Sequence, residues 1–182
     1  MSLSQTETRP NRQVLKVRRY TEADIPIIRG KVMVEVPKLP HYVGIKVDAR
    51  RVDQLMYDGL KHEDKFMARV LVTPEDRIVG GICGYCVTQL LSFDKMTGDI
   101  FLYIDPEWRS LPNVLKLMMA YRDWGIAQGA TIISATQTGG YKQDALGKLL
   151  ERYGDYVPIG TIYYFKPKHH DAAAIMGGIV CH

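Results

Sequence analysis

The segment from Gly98 to Gly129, GDIFLYIDPEWRSLPNVLKLMMAYRDWGIAQG, constrains the chain most, because it writes a strand, a short arginine-bearing turn and an amphipathic helix in one run. Asp99 to Ile104 reads as the strand, and Val114, Leu117, Met118, Tyr121 and Gly125 recur at helical spacing until Gly129 stops the helix. A strand that feeds a helix through a tight turn leaves the first helical N–H groups unbonded and pointing outward. Phosphate oxygens can accept those hydrogens, and the positive end of the helix dipole favours an anion there. The junction therefore predicts a site for a pyrophosphate-bearing cofactor.

At 182 residues the expectation is one domain, with a polar segment at 1–13, a folded unit over 14–166 and a tail at 167–182. The net charge of +4 is modest and its basic residues are scattered, which disfavours a nucleic-acid binder. MSLSQTETRPNR lacks the apolar core of a signal peptide, and no run of about eighteen apolar residues occurs; these features predict a cytoplasmic protein without membrane contact. Three cysteines, an odd number, fit a reducing compartment. Cys83 and Cys86 form a C-x-x-C within a strand-like run, where residues three apart face opposite ways and share no metal or redox work.

Val14 to Arg19 reads as a strand entering a helix over Thr21 to Val36, with Thr21 and Asp24 as start signals. Pro37 and Pro40 open a loop bearing His41 and Tyr42, after which Asp48 caps a second helix with Val52, Leu55, Met56 and Leu60 on one stripe. Lys65 to Thr73 and Arg77 to Leu91 form a hairpin around Pro74-Glu75-Asp76, with Gly80 and Gly81 marking a bulge, and SFDKMTG is a second turn. Thr131 to Gln137 is a further strand, followed by a glycine loop, a helix near Asp144 to Tyr153 and a last strand over Gly160 to Phe165. This order predicts an α/β (α+β) domain with a mixed sheet and helices on both faces.

The order of elements, with the phrases VLKVRRYTEADIPII, RIVGGICGYCV, LYIDPEWRS and LLERYGDY, resembles the GNAT superfamily of acyl-CoA-dependent N-acyltransferases over nearly the whole chain, Val14 to about Lys166. The resemblance implies a mostly antiparallel sheet of six to seven strands, acetyl-CoA or another acyl-CoA as co-substrate, no metal, and direct transfer of an acyl group to a primary amine. It implies that the backbone of Leu102, Tyr103 and Ile104 pairs with the pantetheine arm, with Thr136 and Gln137 on the opposite lip, and that the pyrophosphate sits over Arg109, Ser110, Leu111, Asn113 and Val114. Relatives usually show R/Q-x-x-G-x-G/A at that turn. Here the arginine is kept, but Pro112 removes one N–H donor and Val114 places a branched side chain where phosphate approaches.

Acyl transfer to an amine needs a base and an acid near the thioester sulfur. Asp99 is the candidate base, since some relatives carry a glutamate near the start of this strand, and period two places it on one face with Phe101 and Tyr103. The family's tyrosine acid aligns on Leu150, which has no proton to give, so Tyr153 is the nearest substitute. His41 and Tyr42 border the acceptor pocket by resemblance, with Glu35 and Glu107 as further carboxylates. His169, His170, Cys181 and His182 fit no zinc spacing, and no G-x-S-x-G supports serine catalysis. The acceptor is a small-molecule or protein amine, and a homodimer is allowed. The alternative is a GNAT-fold binding or assembly component with an altered or lost CoA site, since some phage-encoded relatives also carry altered phosphate loops.

Overall fold

A computed structural model of the chain describes residues 14–39, 42, 45–136, 143–154 and 156–157, with 143–146 and 153–154 given by backbone alone. Five strands, β1 (Lys16–Arg19), β2 (Phe66–Val72), β3 (Ile78–Thr88), β4 (Lys95–Ile104) and β5 (Ala130–Ser134), form one sheet in sequential order. The first three pairings are antiparallel and the β4–β5 pairing is parallel. The sheet is thus mixed and mostly antiparallel, with five strands among the described residues rather than six or seven. The strand expected over Gly160 to Phe165 and the tail histidines lie outside them.

Two apolar layers hold helices on the two faces. On one, Ile25 of α1 (Ile25–Glu35) and Met56 of α2 (Ala49–Lys61) pack with Phe66, Val70 and Ile78. On the other, Leu117, Met118, Tyr121 and Trp124 of α3 (Leu111–Ala127) pack with Met67, Leu71, Val79 and Ile82, joined by Leu150 of α4 (Gln143–Gly154). Because β2 and β3 are covered on both sides, their residues read as near-continuous apolar runs. Cys83 belongs to the first layer and Cys86 to the second, the opposed placement expected from strand parity.

The local signals act as their chemistry requires. Asp24 accepts from the Thr21 N–H and hydroxyl in a capping box, and Asp48 accepts from the Arg50 N–H at the start of α2. Gly129 ends α3 at φ +73°, a conformation that costs other residues. Three expectations are corrected. Leu55 is 40% exposed, and Gly59 holds the buried place on α2. The bulge of β3 falls at Val79, beside the glycines, because Leu71 pairs with Gly80 and Val72 with Ile78. The β3–β4 hairpin turns at Leu90 to Phe93, so Met96 to Gly98 are strand.

Candidate functional site

The site begins where β4 and β5 part. Their ladder runs from Lys95–Ala130 to Gly98–Ser134 and stops there, six residues before β4 ends at Ile104. One residue later side chains take over: the Thr136 N–H donates to Asp99 Oδ1 at 2.6 Å, and its hydroxyl to Oδ1 at 3.0 Å and Oδ2 at 3.2 Å. Burial raises the Asp99 pKa above the ordinary carboxylate range, while the hydrogen bonds from Thr136 oppose that rise. A partly buried carboxylate at the vertex of a strand fork is the most chemically distinctive group of the fold.

A second bulge re-aims β4. Cys83 pairs with Phe101 and Gly84 with Asp99, so Ile100 is the extra residue. Thr97, before it, meets Tyr121 of α3. After it, Leu102 and Ile104 pack against the α3 layer, while Tyr103 lies under Lys31 of α1 at 5.4 Å. The expectation that Asp99 shares a face with Phe101 and Tyr103 is therefore corrected: a one-residue insertion reverses strand parity between them. Phe101 and Tyr103 stack at 6.0 Å on the α1 side, beside a recess of about 30 Å³ also lined by Ile28, Lys31, Val32 and Cys83.

The far half of β4 keeps an open edge among the described residues. The Asp105 N–H donates to Val79 O, so by antiparallel alternation Tyr103 and Phe101 turn their backbone groups toward β3 and Leu102 and Ile104 turn theirs away. Beyond Ile104 the chain passes through a 3-10 turn at Pro106–Trp108 into α3, with Ser110 as the N-cap. Arg109 Nε donates to Ile104 O at 2.9 Å, and its guanidinium lies 6.0 Å from the Tyr103 ring centre. Asn113 Nδ2 donates to Trp108 O, and the N–H groups of Asn113 and Val114 both turn back to Ser110 O. Pro112 stands at the second helical position and offers no hydrogen.

Two parts of this arrangement could hold an extended, phosphate-bearing cofactor such as coenzyme A. The β4 edge supplies the Leu102 and Ile104 backbone groups for an extended arm, apart from the Ile104 carbonyl that Arg109 uses. At the helix start, the Ser110 and Leu111 N–H groups have no backbone partner among the described residues, and with the helix dipole they form a reduced anion site. Arg109 braces the turn through its Nε bond to Ile104 O. No group of three or more His, Cys, Asp or Glu side chains suited to a metal occurs among the described residues. No described helix is long and apolar enough to cross a membrane.

The remaining candidates are less gathered. Tyr42 is half-buried, its N–H on Leu39 O, within the loop between α1 and α2; His41 and Gln137 lie outside the described residues. Tyr153 falls in the last turn of α4, and its side chain is not among those described. Leu150 is buried in the core, consistent with its lack of a polar tip. Tyr156 is the residue that sequence reasoning missed. Its hydroxyl is buried without a hydrogen-bond partner among the described residues, and its pKa is pushed up to about 12, chiefly by burial, with Arg122 opposing and the Asp99 charge adding. The motif LLERYGDY ends on this residue, three positions beyond Tyr153 and past the end of α4.

No family model matches the chain, and no curated protein matches its sequence. Solved structures do match. An aminoglycoside acetyltransferase from an uncultured soil metagenomic sample, solved with sisomicin, is 20% identical with a TM-score of 0.62, covering 85% of this chain and 97% of its own. Glucosamine-6-phosphate N-acetyltransferase from Arabidopsis thaliana is 13% identical with a TM-score of 0.60, covering 85% and 100%. A GNAT family acetyltransferase of Staphylococcus aureus is 12% identical with a TM-score of 0.55, covering 84% and 98%. On these matches the chain has the fold of the GNAT acetyltransferases.

Proposed function

We propose that this chain is an N-acyltransferase that moves an acyl group, acetyl in the first instance, from acyl-CoA to a primary amine by direct attack. The observation that carries this reading is the fork, with the Asp99 carboxylate at its vertex and the open β4 edge leading to the α3 N-terminus. Acyl-CoA supplies the activated thioester when bound. The Leu102 and Ile104 backbone groups align its arm, and the Ser110 and Leu111 amides with Arg109 hold its phosphates. Asp99 takes a proton from the amine as the new C–N bond forms and the C–S bond breaks. A raised carboxyl pKa suits that base, because burial makes it a better proton acceptor than an exposed carboxylate. A phenol from the segment after β5, Tyr153 or Tyr156, returns a proton to the departing thiolate.

The acceptor is read as a small-molecule or protein amine, and the amino sugars named in the matched structures are the first compounds to try. The free, unpaired Cys83 and Cys86 support a reducing, cytoplasmic setting. A second reading rests on a specific observation: Pro112 lacks an N–H, and the next two amides are turned inward to Ser110, so the anion site is thinner than four free amides would make it. On that reading the fold serves a binding or assembly role without acyl transfer. Titration calorimetry with acetyl-CoA and CoA separates the two. Micromolar binding supports the enzyme and overturns the second reading; no heat at millimolar ligand does the reverse.

A further inference from the structure

The bonds around the fork form two side-chain rungs. In the first, the Tyr121 hydroxyl donates to Ser134 O at 2.8 Å and lies 3.0 Å from Thr97 Oγ1, while Ser134 Oγ donates to Thr97 O at 2.7 Å. In the second, two residues further along β4 and two residues past the end of β5, Thr136 gives its N–H and hydroxyl to Asp99. Tyr121 and Thr97 are fully buried, so the first rung ties α3, β4 and β5 at a fixed point and the second projects from it. A carboxylate held by two donors, one of them backbone, loses most of its rotamer freedom.

We propose that Thr136 is a positioning residue: it aims the Asp99 carboxylate across the fork, and the Tyr121–Ser134–Thr97 rung delivers it there. This rests on the acyltransferase reading with Asp99 as the base. Among the described residues, the titratable groups facing Asp99 are Tyr121 from α3 and Tyr156 from beyond α4, the latter balanced by Arg122; both phenols are neutral near pH 7 and stay so in the variants below. Thr136 is therefore the lever that changes how readily Asp99 accepts a proton. Donors to a carboxylate favour its charged form, so removing the hydroxyl moves the titration upward.

The test follows the Asp99 side-chain carbon by ¹³C NMR across pH in the protein without ligand, for the natural chain, Thr136→Val and Thr136→Ser. Val removes the hydroxyl at nearly equal volume and keeps the backbone N–H; Ser keeps both donors. Thr136→Ala replaces Val if the branched side chain disturbs the amide spectrum. The midpoint rises by about one pH unit in Val and stays within about 0.3 unit of the natural chain in Ser, and the acid limb of kcat/KM for acetyl-CoA moves with it. An unmoved midpoint in Val, or a shift in Ser as large as in Val, overturns the assignment. Calorimetry with CoA on the natural chain reports separately: absent binding removes the acyltransferase reading whatever the titration shows, whereas binding with an unmoved midpoint removes the role of Thr136 alone.

Discussion

Replacing Tyr121 by Phe isolates the hydroxyl that ties α3 to both strands of the fork. The ring is fully buried and tightly seated: a Cβ placed on Gly84 would come within 2.5 Å of it. Phe fills the same space, so the substitution removes hydrogen bonds without making a cavity. What is lost is the donor to Ser134 O at 2.8 Å and the contact with Thr97 Oγ1 at 3.0 Å. Thr97 is fully buried, so no water replaces the partner its hydroxyl loses. Each buried bond contributes about 1 kcal/mol, and an orphaned partner costs about 1–3 kcal/mol, giving an expected loss of about 2 kcal/mol. With a urea dependence of about 2 kcal/mol/M, the unfolding midpoint falls by about 1 M. Equilibrium urea unfolding followed by tryptophan fluorescence measures it, since Trp124 lies one turn from Tyr121, ring centres 6.2 Å apart. Adding Thr97→Val to Tyr121→Phe should cost less than the sum of the two, because the orphaned hydroxyl is then gone. A midpoint within about 0.2 M of the natural chain would refute the view that this hydroxyl holds the fork.

Three further outcomes follow from the site and its supports. Arg109→Ala weakens CoA binding about tenfold in calorimetry, through a lost phosphate partner and a loosened Ile104 carbonyl; unchanged affinity would move the phosphates elsewhere. Asp99→Asn lowers kcat about a hundredfold while CoA affinity changes little, and equal losses in both would assign Asp99 to structure rather than chemistry. Asp24 is held below its ordinary pKa, first by the Arg18 guanidinium at 2.7 and 3.1 Å and then by Thr21. A depressed folded value means stability that is present above the unfolded aspartate range near pH 4 and lost as pH falls through the folded value. Asp24→Asn should flatten that acid decline in urea midpoints measured between pH 5 and 2, and an unchanged slope would mean other carboxylates govern it.

Much of the fold was legible because its signals are local. The capping box at Thr21 and Asp24, the Asp48 cap, the α3 stripe and the Gly129 stop each depend on residues within a few positions, and each acts as its chemistry dictates. The strand carrying the candidate site residues was legible in its place but not in its facing. Leu102, Tyr103 and Ile104 lie on the strand expected, and Asp99 stands at the fork. The bulge at Ile100, however, is set by the pairing of β3 with β4 across the sheet, and period-two reading of one strand has no access to it.

That single inserted residue decides how the site is built. Had Ile100 paired as a regular strand residue, Asp99 would share a face with Phe101 and Tyr103, over α1 and beside Lys31. With the bulge, the strand before it presents Thr97 to α3, and Asp99 meets Thr136. Leu102 and Ile104 then seat their side chains in the α3 layer, while their backbone groups turn outward along the open edge. The face carrying Phe101 and Tyr103 is left to α1, whose Lys31 is held by Asp105 at 2.6 Å. The Asp99 carboxylate and the Phe101–Tyr103 wall are thereby put on opposite sides of one strand. On the proposed acyltransferase reading, an amine held on the α1 side would have to reach across the β4 edge to Asp99, and the extended arm of a thioester laid along that edge would bring its carbonyl between them.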